Sequence, residues 1–201
     1  LSKKEIKELL DKIPSNILVI IDTAYAELAD AADYDKSFDF VDEYENVLIT
    51  RTFSKAYSLA GLRLGWGYGS KSLINIIKKM RPPFNLPPGS VAAGIAALDD
   101  DEHLNKVVKH NSNIKHWYIS ELKNLGFNAY ETQANFIFVI IPENKNQNAS
   151  IVNDFLISKG IAVRYLASYG IKNALRITLG TQEELEKTIS VLKEFRRNHE
   201  K

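Results

Sequence analysis

The sequence predicts an α/β protein in which a mainly parallel sheet precedes a smaller α+β domain. Residues 17–21 form a continuous apolar run rich in β-branched side chains, which is typical of a parallel strand covered by helices on both faces. Residues 102–125 have the pattern of one long helix that ends at Gly126. Short strands and helices follow it, as in a small α+β domain. We therefore predict a first part over residues 1–100, a connecting helix over residues 101–126 and a small C-terminal domain over residues 127–201.

The elements of the first part have local start and stop signals. Ser2 with Glu5 three residues later is a capping-box pattern that starts a helix, and Pro14 lies beyond its end. Ser70 is placed to cap a later helix. The further predicted elements are strands over residues 46–51 and 64–68, and helices over residues 70–80 and 87–98.

The acidic run over residues 99–102 precedes the long helix. Acidic side chains favour the positive N-terminal end of a helix, whereas four adjacent acids point in different directions and rarely converge on one ion. The run therefore predicts a helix start and no metal site. In the small domain we predict strands over residues 135–141, 161–166 and 175–179, and helices over residues 150–158 and 181–196.

Composition limits the classes of partner. The formal net charge of +1 gives no reason to expect a polyanion, and residues 193–201 mix both signs of charge, as a solvated helix end does. The chain has no cysteine, which is typical of a reducing compartment. No apolar run approaches the roughly 20 residues that a membrane-spanning helix needs. We expect no nucleic acid, membrane or metal partner.

One segment places a lysine between hydroxyl residues directly after a predicted strand. Residues 52–65 read T-F-S-K-A-Y-S-L-A-G-L-R-L-G, with Lys55 followed eight positions later by Arg63. Upstream, the apolar run over residues 17–21 leads straight into Asp22, and Tyr25 follows. A lysine for an imine, an aspartate for a pyridinium and an arginine with hydroxyls for a phosphate are what a protein must supply to pyridoxal 5′-phosphate.

This T-x-S-K-x-x-x-L-A-G-L-R-x-G run, with D-x-x-Y before it, resembles the fold-type I pyridoxal-phosphate aminotransferases. Two further stretches, R-P-P-F-N-L at residues 81–86 and L-R-I-T-L-G-T at residues 175–181, favour the histidinol-phosphate aminotransferase branch. The resemblance covers essentially the whole chain. It implies the fold-type I α/β architecture, a homodimer, a cytoplasmic location and a place in histidine biosynthesis. The implied reaction converts histidinol phosphate and 2-oxoglutarate to imidazole acetol phosphate and glutamate.

The resemblance also assigns roles near the cofactor. Lys55 forms the imine and later carries a proton between the substrate carbon and the cofactor carbon. Asp22, at the carboxyl end of a strand, keeps the pyridine nitrogen protonated, and Tyr25 hydrogen-bonds to the 3′-oxygen. Thr52 and Ser54 are two residues apart, so on an extended segment they face the same way. Their hydroxyls, with a charge-assisted contact from the guanidinium of Arg63, are expected to hold the phosphate.

Three residues of the small domain are candidates for substrate binding. Arg176 lies in the apolar strand segment A-L-R-I-T, where an arginine needs an anionic partner. The resemblance implies that its planar guanidinium binds the substrate phosphate and the glutamate carboxylate in turn. Arg164 is a second candidate for the phosphate. Asn135 resembles a family position near the substrate, and a hydrogen bond at the start of a strand explains it equally well.

The sequence departs from the family pattern at its beginning. The family supplies a phosphate-capping turn of small residues, an aromatic that stacks on the ring and an N-P-x-x-P-x-G asparagine before the position of Leu1, and this sequence contains none of them. We therefore expect the chain to be the C-terminal part of a larger enzyme. Three alternatives remain: an aromatic amino-acid aminotransferase, a threonine-phosphate decarboxylase, and a ligand-sensing, aminotransferase-like domain of a transcription regulator. Lys55 does not distinguish them.

Overall fold

The chain divides into two compact units in a computed structural model that describes residues 1–34, 38–144 and 146–199. The first unit comprises residues 1–108 and the second unit residues 109–201. The boundary falls inside the long helix that the sequence predicts. The finer division, with a separate connecting helix over residues 101–126, stays a prediction.

The first unit is built on a three-stranded sheet in the order β1-β2-β3. β1 and β2 are parallel, and β3 is antiparallel to β2. The parallel pair therefore agrees with the prediction, and the third strand runs the other way. The elements in chain order are α1 (Lys3–Leu10), β1 (Val19–Asp22), α2 (Asp39–Glu43), β2 (Val47–Thr52), β3 (Gly65–Gly69), α3 (Lys71–Met80) and α4 (Pro88–Leu98).

Local signals explain where these helices begin. Ser2 and Glu5 form the predicted capping box at the start of α1. The hydroxyl of Ser70 accepts a hydrogen bond from the backbone N–H of Leu73 and caps α3 as predicted. β3 reaches the sheet through Gly65, because a Cβ on this residue would lie 2.7 Å from the backbone oxygen of Arg51.

The two faces of the strand β1 differ in exposure. α1 and α2 bury the face that carries Val47 and Ile49, which are fully buried together with Phe40. On the other face Ile20 is 57% exposed, and the neighbouring Leu18 is 49% exposed. The expectation that the apolar run over residues 17–21 is buried on both faces is therefore wrong for this chain. Its uninterrupted apolar pattern is that of a strand with two covered faces, but the face that carries Ile20 is open at β1.

The second unit contains a four-stranded antiparallel sheet in the order β4-β5-β7-β6. Side chains of the sheet and of the helices meet in one large core that includes Tyr118, Ile137, Leu156 and Phe195. The predicted α+β pattern is present. The elements are the second part of α5 (Asp101–Asn124), β4 (Asn128–Ala129), β5 (Phe136–Ile140), α6 (Ala149–Ser158), β6 (Arg164–Tyr165), β7 (Ala174–Thr178) and α7 (Gln182–His199).

Two boundaries refine the sequence-based picture. The carboxylate of Asp100 accepts the backbone N–H of His103 at 2.9 Å, so the acidic run begins α5 as predicted. The strand expected over residues 161–166 shrinks to Arg164–Tyr165, because the chain leaves α6 through a turn at Gly160 and enters a 3₁₀ turn at Ala167–Tyr169.

Among the described residues, no helix is both long and apolar enough to cross a membrane, and no three potential ligands group around a possible metal ion.

Candidate active site

The carboxyl ends of the two parallel strands define the candidate site in the first unit. Asp22 is the last residue of β1 and pairs in register with Thr50 of β2. Since parallel strands end at the same edge of a sheet, the residues after Thr52 start near Asp22. One carboxylate oxygen of Asp22, Oδ1, accepts the backbone N–H of Ala24 at 3.0 Å. Asp22 is exposed, and within the described residues its Oδ2 has no hydrogen-bond partner.

Lys55 and Tyr25 come together at this edge. The Nζ atom of Lys55 lies 5.3 Å from the centroid of the Tyr25 ring. Lys55 is half-buried, and no carboxylate in the described part of the chain pairs with its amine. Lys7 of the same unit is exposed and forms an ion pair of 2.6 Å with Glu43. A reactive role for the Lys55 amine stays a prediction.

The two predicted hydroxyl residues form one cluster. Thr52 Oγ1 donates to Ser54 Oγ at 2.9 Å and accepts the backbone N–H of Ser54 at 3.0 Å. Both side chains are half-buried, and they precede Lys55 in the same loop. The two hydroxyl groups therefore lie together, and their phosphate-binding role stays a prediction.

A closed turn brings the backbone beside Arg63 back to the Thr52–Ser54 cluster. The backbone oxygen of Leu64, the next residue, accepts the N–H of Phe53 at 3.1 Å and the hydroxyl of Thr52 at 3.4 Å. Arg63 itself has a positive φ of 52°, an uncommon conformation for a residue with a side chain. Its Nη1 donates to the backbone oxygen of Ala60 at 2.9 Å. The guanidinium is thereby oriented by its own turn while the side chain stays exposed.

A buried ion pair that the motif reasoning missed lies beside these residues. Arg51 Nη1 is 2.6 Å from Glu27 Oε1, and the two side chains are 5% and 15% exposed. Burial, and to a smaller degree the carboxylate of Glu27, raises the pKa of the nearby Tyr57 phenol. A usable signal was present: an arginine inside the apolar strand over residues 46–51 needs an anionic partner, which is the argument that singled out Arg176.

In the second unit, two of the predicted substrate residues are direct neighbours. Arg164 of β6 and Arg176 of β7 are paired in register across the antiparallel strands, so their side chains project from the same face of the sheet. Each guanidinium lies over an aromatic ring: Arg176 at 5.1 Å from the centroid of Phe136, and Arg164 at 5.7 Å from that of Tyr169.

This arginine pair has unsatisfied binding capacity. The Nε atom of Arg176 is buried and makes no hydrogen bond to the described residues, and no carboxylate among them pairs with either guanidinium. Like charges directly opposite each other on a sheet are destabilising. An anion bound between them removes that repulsion and supplies the missing acceptors.

The third predicted substrate residue, Asn135, makes a strand-start contact. Its backbone oxygen accepts the N–H of Leu179 at 2.8 Å, one step beyond the pairing of Phe136 with Thr178. The side chain of Asn111 holds the preceding loop by donating to the backbone oxygen of Ala134 at 3.3 Å. The alternative weighed from the sequence therefore accounts for the backbone of Asn135, and a substrate role for its half-buried side chain stays a prediction.

His103, His110 and His116 each contact a neighbouring group of the protein. His103 Nε2 lies 3.1 Å from the hydroxyl of Ser58, and His110 Nε2 lies 2.9 Å from the backbone oxygen of Gly180. His116 Nδ1 is 3.7 Å from a carboxylate oxygen of Glu131 at the surface. None of these contacts brings two histidines together.

Comparison with known proteins decides the family. Residues 1–192 match the family model described as aminotransferase class I and II. The chain belongs to this family. It is 34% identical over 195 residues to the histidinol-phosphate aminotransferase of Maricaulis maris, covering 97% of this chain and 54% of that protein. It is 38% identical over 191 residues to the enzyme of the same name from Paramagnetospirillum magneticum, covering 95% and 53%.

The fold agrees with that of a solved aminotransferase. The structure of histidinol-phosphate aminotransferase from Sinorhizobium meliloti in complex with pyridoxal 5′-phosphate matches with a TM-score of 0.90 at 27% identity, over 98% of this chain and 54% of that one. This likeness confirms the predicted fold class, an α/β transferase of fold type I. The chain spans about half the length of the relatives it matches.

Proposed function

We propose that this protein carries out transamination with pyridoxal 5′-phosphate, with histidinol phosphate as amino donor and 2-oxoglutarate as acceptor. The observation that carries the substrate assignment is the cross-strand pair of Arg164 and Arg176, which has no anionic partner among the described residues. The names of the Maricaulis and Paramagnetospirillum relatives support the same choice.

The residues of the first unit fit pyridoxal 5′-phosphate. The unpaired amine of Lys55 is suited to hold its aldehyde carbon covalently, and the free oxygen Oδ2 of Asp22 is suited to hold the proton on its ring nitrogen. The hydroxyl cluster of Thr52 and Ser54 and the exposed guanidinium of Arg63 are suited to its phosphate. The cofactor, when bound, supplies an electron sink for the substrate carbon.

Three side chains of the first unit have the remaining chemical roles. With the cofactor bound, the Nζ of Lys55 would hold and move the proton of the substrate carbon. Tyr25, whose ring lies against that Nζ, donates its phenol hydrogen bond beside the reacting carbon. Asp22 stabilises the positive charge that makes proton removal from the substrate favourable.

The paired arginines suit a reaction in which two different anions bind in turn. Histidinol phosphate has a phosphate and no carboxylate, whereas glutamate has carboxylates. One planar guanidinium fork accepts either anion with two parallel hydrogen bonds. A second guanidinium directly opposite gives a doubly charged phosphate an additional cationic partner. We assign Arg176 to both anions and Arg164 to the phosphate, with Asn135 nearby as a polar contact for the substrate.

The partners and a location complete the proposal. The expected partners are the small-molecule amino donor and 2-oxo acid, together with a second copy of the subunit in a homodimer. The absence of cysteine and the biosynthetic relatives favour the cytoplasm.

The test is a competition of substrates on the purified intact protein loaded with cofactor. We expect kcat/KM for amino transfer from histidinol phosphate to exceed that from phenylalanine by about 100-fold or more, because a substrate without a phosphate leaves the two guanidinium groups unpaired. Arg164→Ala should lower the preference, and Arg197→Ala, an exposed arginine of the same unit, should leave it unchanged.

Other outcomes identify the alternatives. A preference for phenylalanine supports the aromatic aminotransferase. Carbon dioxide release from threonine phosphate supports the decarboxylase. No turnover of any of these substrates by protein that holds the cofactor supports a ligand-sensing domain.

A further inference from the structure

The Glu27–Arg51 ion pair has an environment that favours a defined geometry. The two charged groups are 2.6 Å apart and nearly enclosed. The guanidinium carbon of Arg51 is 5.2 Å from the centroid of the Phe38 ring and 5.8 Å from that of the Trp66 ring, and these two rings stack on each other. Aromatic faces and one carboxylate therefore fix the plane of the guanidinium.

The pair connects the two loops that carry the candidate catalytic groups. Glu27 lies in the turn that follows β1, two residues after Tyr25 and five after Asp22. Arg51 lies in β2, four residues before Lys55. No other ion pair between described residues joins these two segments.

A second anchor holds the other end of the same turn. Thr23 donates both its backbone N–H and its hydroxyl to the backbone oxygen of Thr50, each at 2.9 Å. Tyr25 is therefore held between two attachments to β2, one at Thr23 and one at Glu27. Within the turn, the backbone oxygen of Tyr25 accepts the N–H groups of Leu28 and Ala29.

Stability alone is a weak reason for such a pair. Taking two charges out of water costs about as much as their attraction returns, and apolar residues of similar volume often replace a buried ion pair without loss. The Nε of Arg51 is also buried without a hydrogen bond to the described residues, which adds to that cost. An ion pair is directional, so it can fix one distance between two loops. Apolar packing does not do this.

We propose that Glu27 and Arg51 are positioning residues that hold the Tyr25 phenol against the Lys55 amine. Neither touches the reacting atoms. The pair fixes the turn after β1 relative to β2, and through it the 5.3 Å approach of Tyr25 to Lys55. The catalytic meaning of this distance rests on the proposed function, whereas the fixing of the turn does not.

The first measurement is made on the intact protein without cofactor. Glu27→Gln keeps the shape of the side chain and removes its charge. Hydrogen exchange of the amides of Leu28 and Ala29 should become faster by about tenfold or more, because the turn opens locally. Val47 and Ile49 of β2 should exchange at the original rate.

A matched control separates a local effect from a general one. Glu43→Gln breaks the Lys7–Glu43 ion pair, which has the same 2.6 Å separation and lies exposed in the same unit. It should leave the amides of Leu28 and Ala29 unchanged. If Glu27→Gln accelerates exchange equally across the whole unit, or not at all, the positioning role is overturned.

The second measurement uses cofactor-loaded protein and follows the absorbance of the bond between Lys55 and the cofactor against pH. A hydrogen bond donated by Tyr25 to the anionic 3′-oxygen of the cofactor stabilises that anion. It therefore favours the deprotonated form of the imine between Lys55 and the cofactor. Glu27→Gln should therefore move the midpoint to higher pH, by about half a unit or more. Glu27→Asp, which restores the charge, should bring it part of the way back. An unchanged midpoint overturns the link to Tyr25, and failure of the unaltered protein to bind cofactor overturns the proposed function while leaving the exchange result intact.

Discussion

The two units differ in how completely they bury their apolar side chains. The second unit packs its sheet against α6, α7 and the second part of α5 and encloses a large core. The first unit has a small core on one face of its sheet, and its exposed large apolar residues include Ile20, Trp66, Met80 and Phe84. Among the described residues of the second unit, the exposed large apolar side chains are Tyr130, Ile157, Tyr169 and Ile171.

This difference separates two ways of building a binding site. In the first unit, the residues proposed to bind the cofactor lie mainly in loops at the end of the sheet, where ion pairs and closed turns fix their geometry. In the second unit, Arg164 and Arg176 are held by strand register above a well-packed core. Polar contacts therefore fix the geometry of the loop residues in the first unit. Packing fixes the geometry of the arginine pair in the second unit.

The largest expected effect is in the first unit. Lys55→Ala should abolish the covalent attachment of pyridoxal 5′-phosphate, because it removes the only amine proposed to hold the aldehyde. The measurement is the cofactor absorbance that survives borohydride reduction and dialysis. Lys12→Ala, a change at an exposed lysine of the same unit, should retain it. Reducible attachment that persists without Lys55 would falsify the assignment.

A truncation in the core should distinguish the units by stability. Phe195 is fully buried in the second unit and packs edge-to-face on Phe155 at 5.3 Å. Phe195→Ala should cost about 3–5 kcal/mol. Phe84→Ala in the first unit removes a side chain that is 99% exposed and should change the free energy of unfolding by less than about 0.5 kcal/mol.

The two tryptophans allow this comparison to be read in each unit separately. Trp66 belongs to the first unit and Trp117 to the second. In a Trp66→Phe background, urea unfolding followed by fluorescence reports the second unit, and in a Trp117→Phe background it reports the first. An equal loss of stability in both units after Phe195→Ala would show that they unfold together, and the contrast between separate cores would then be wrong.

The sequence predicted most of this fold, whereas the roles of the candidate site residues stay predictions. Ser2, Ser70 and Asp100 mark helix starts through contacts within four residues, so the sequence alone contains the signal. The lysine loop was recognised because its groups are close along the chain. The exposure of Ile20 and Leu18 is not contained in the strand pattern itself, since an apolar pattern indicates what a strand needs and not whether a cover is present.

The missed ion pair shows a second limit. Glu27 and Arg51 are far apart in sequence, and the partner of a buried arginine depends on tertiary contacts that no local pattern contains. The anion argument was applied to Arg176, whose strand segment is apolar on both sides, and not to Arg51. Strand register likewise decides that Arg164 faces Arg176, and a shift of one residue would have separated them.

The smallest expected effects concern cofactor binding in the first unit and substrate binding in the second unit. Arg63→Ala in the first unit should weaken retention of the cofactor by about 10- to 100-fold, the value of a lost charge-assisted hydrogen bond. Arg176→Ala in the second unit should leave cofactor affinity unchanged and raise KM for the phosphate-bearing substrate by a similar factor. Titration of apo-protein with cofactor and of loaded protein with substrate measures the two quantities independently.

The controls are the exposed arginines Arg81 in the first unit and Arg197 in the second, whose replacement by alanine should change neither quantity. Arg164→Ala sharpens the result further. Because Arg164 and Arg176 are adjacent and of like charge, their effects on phosphate binding should be non-additive in the double variant. Loss of cofactor alone in both Arg63→Ala and Arg176→Ala would show that the two units share one anion site, and the division of roles between loop and strand would have to be abandoned.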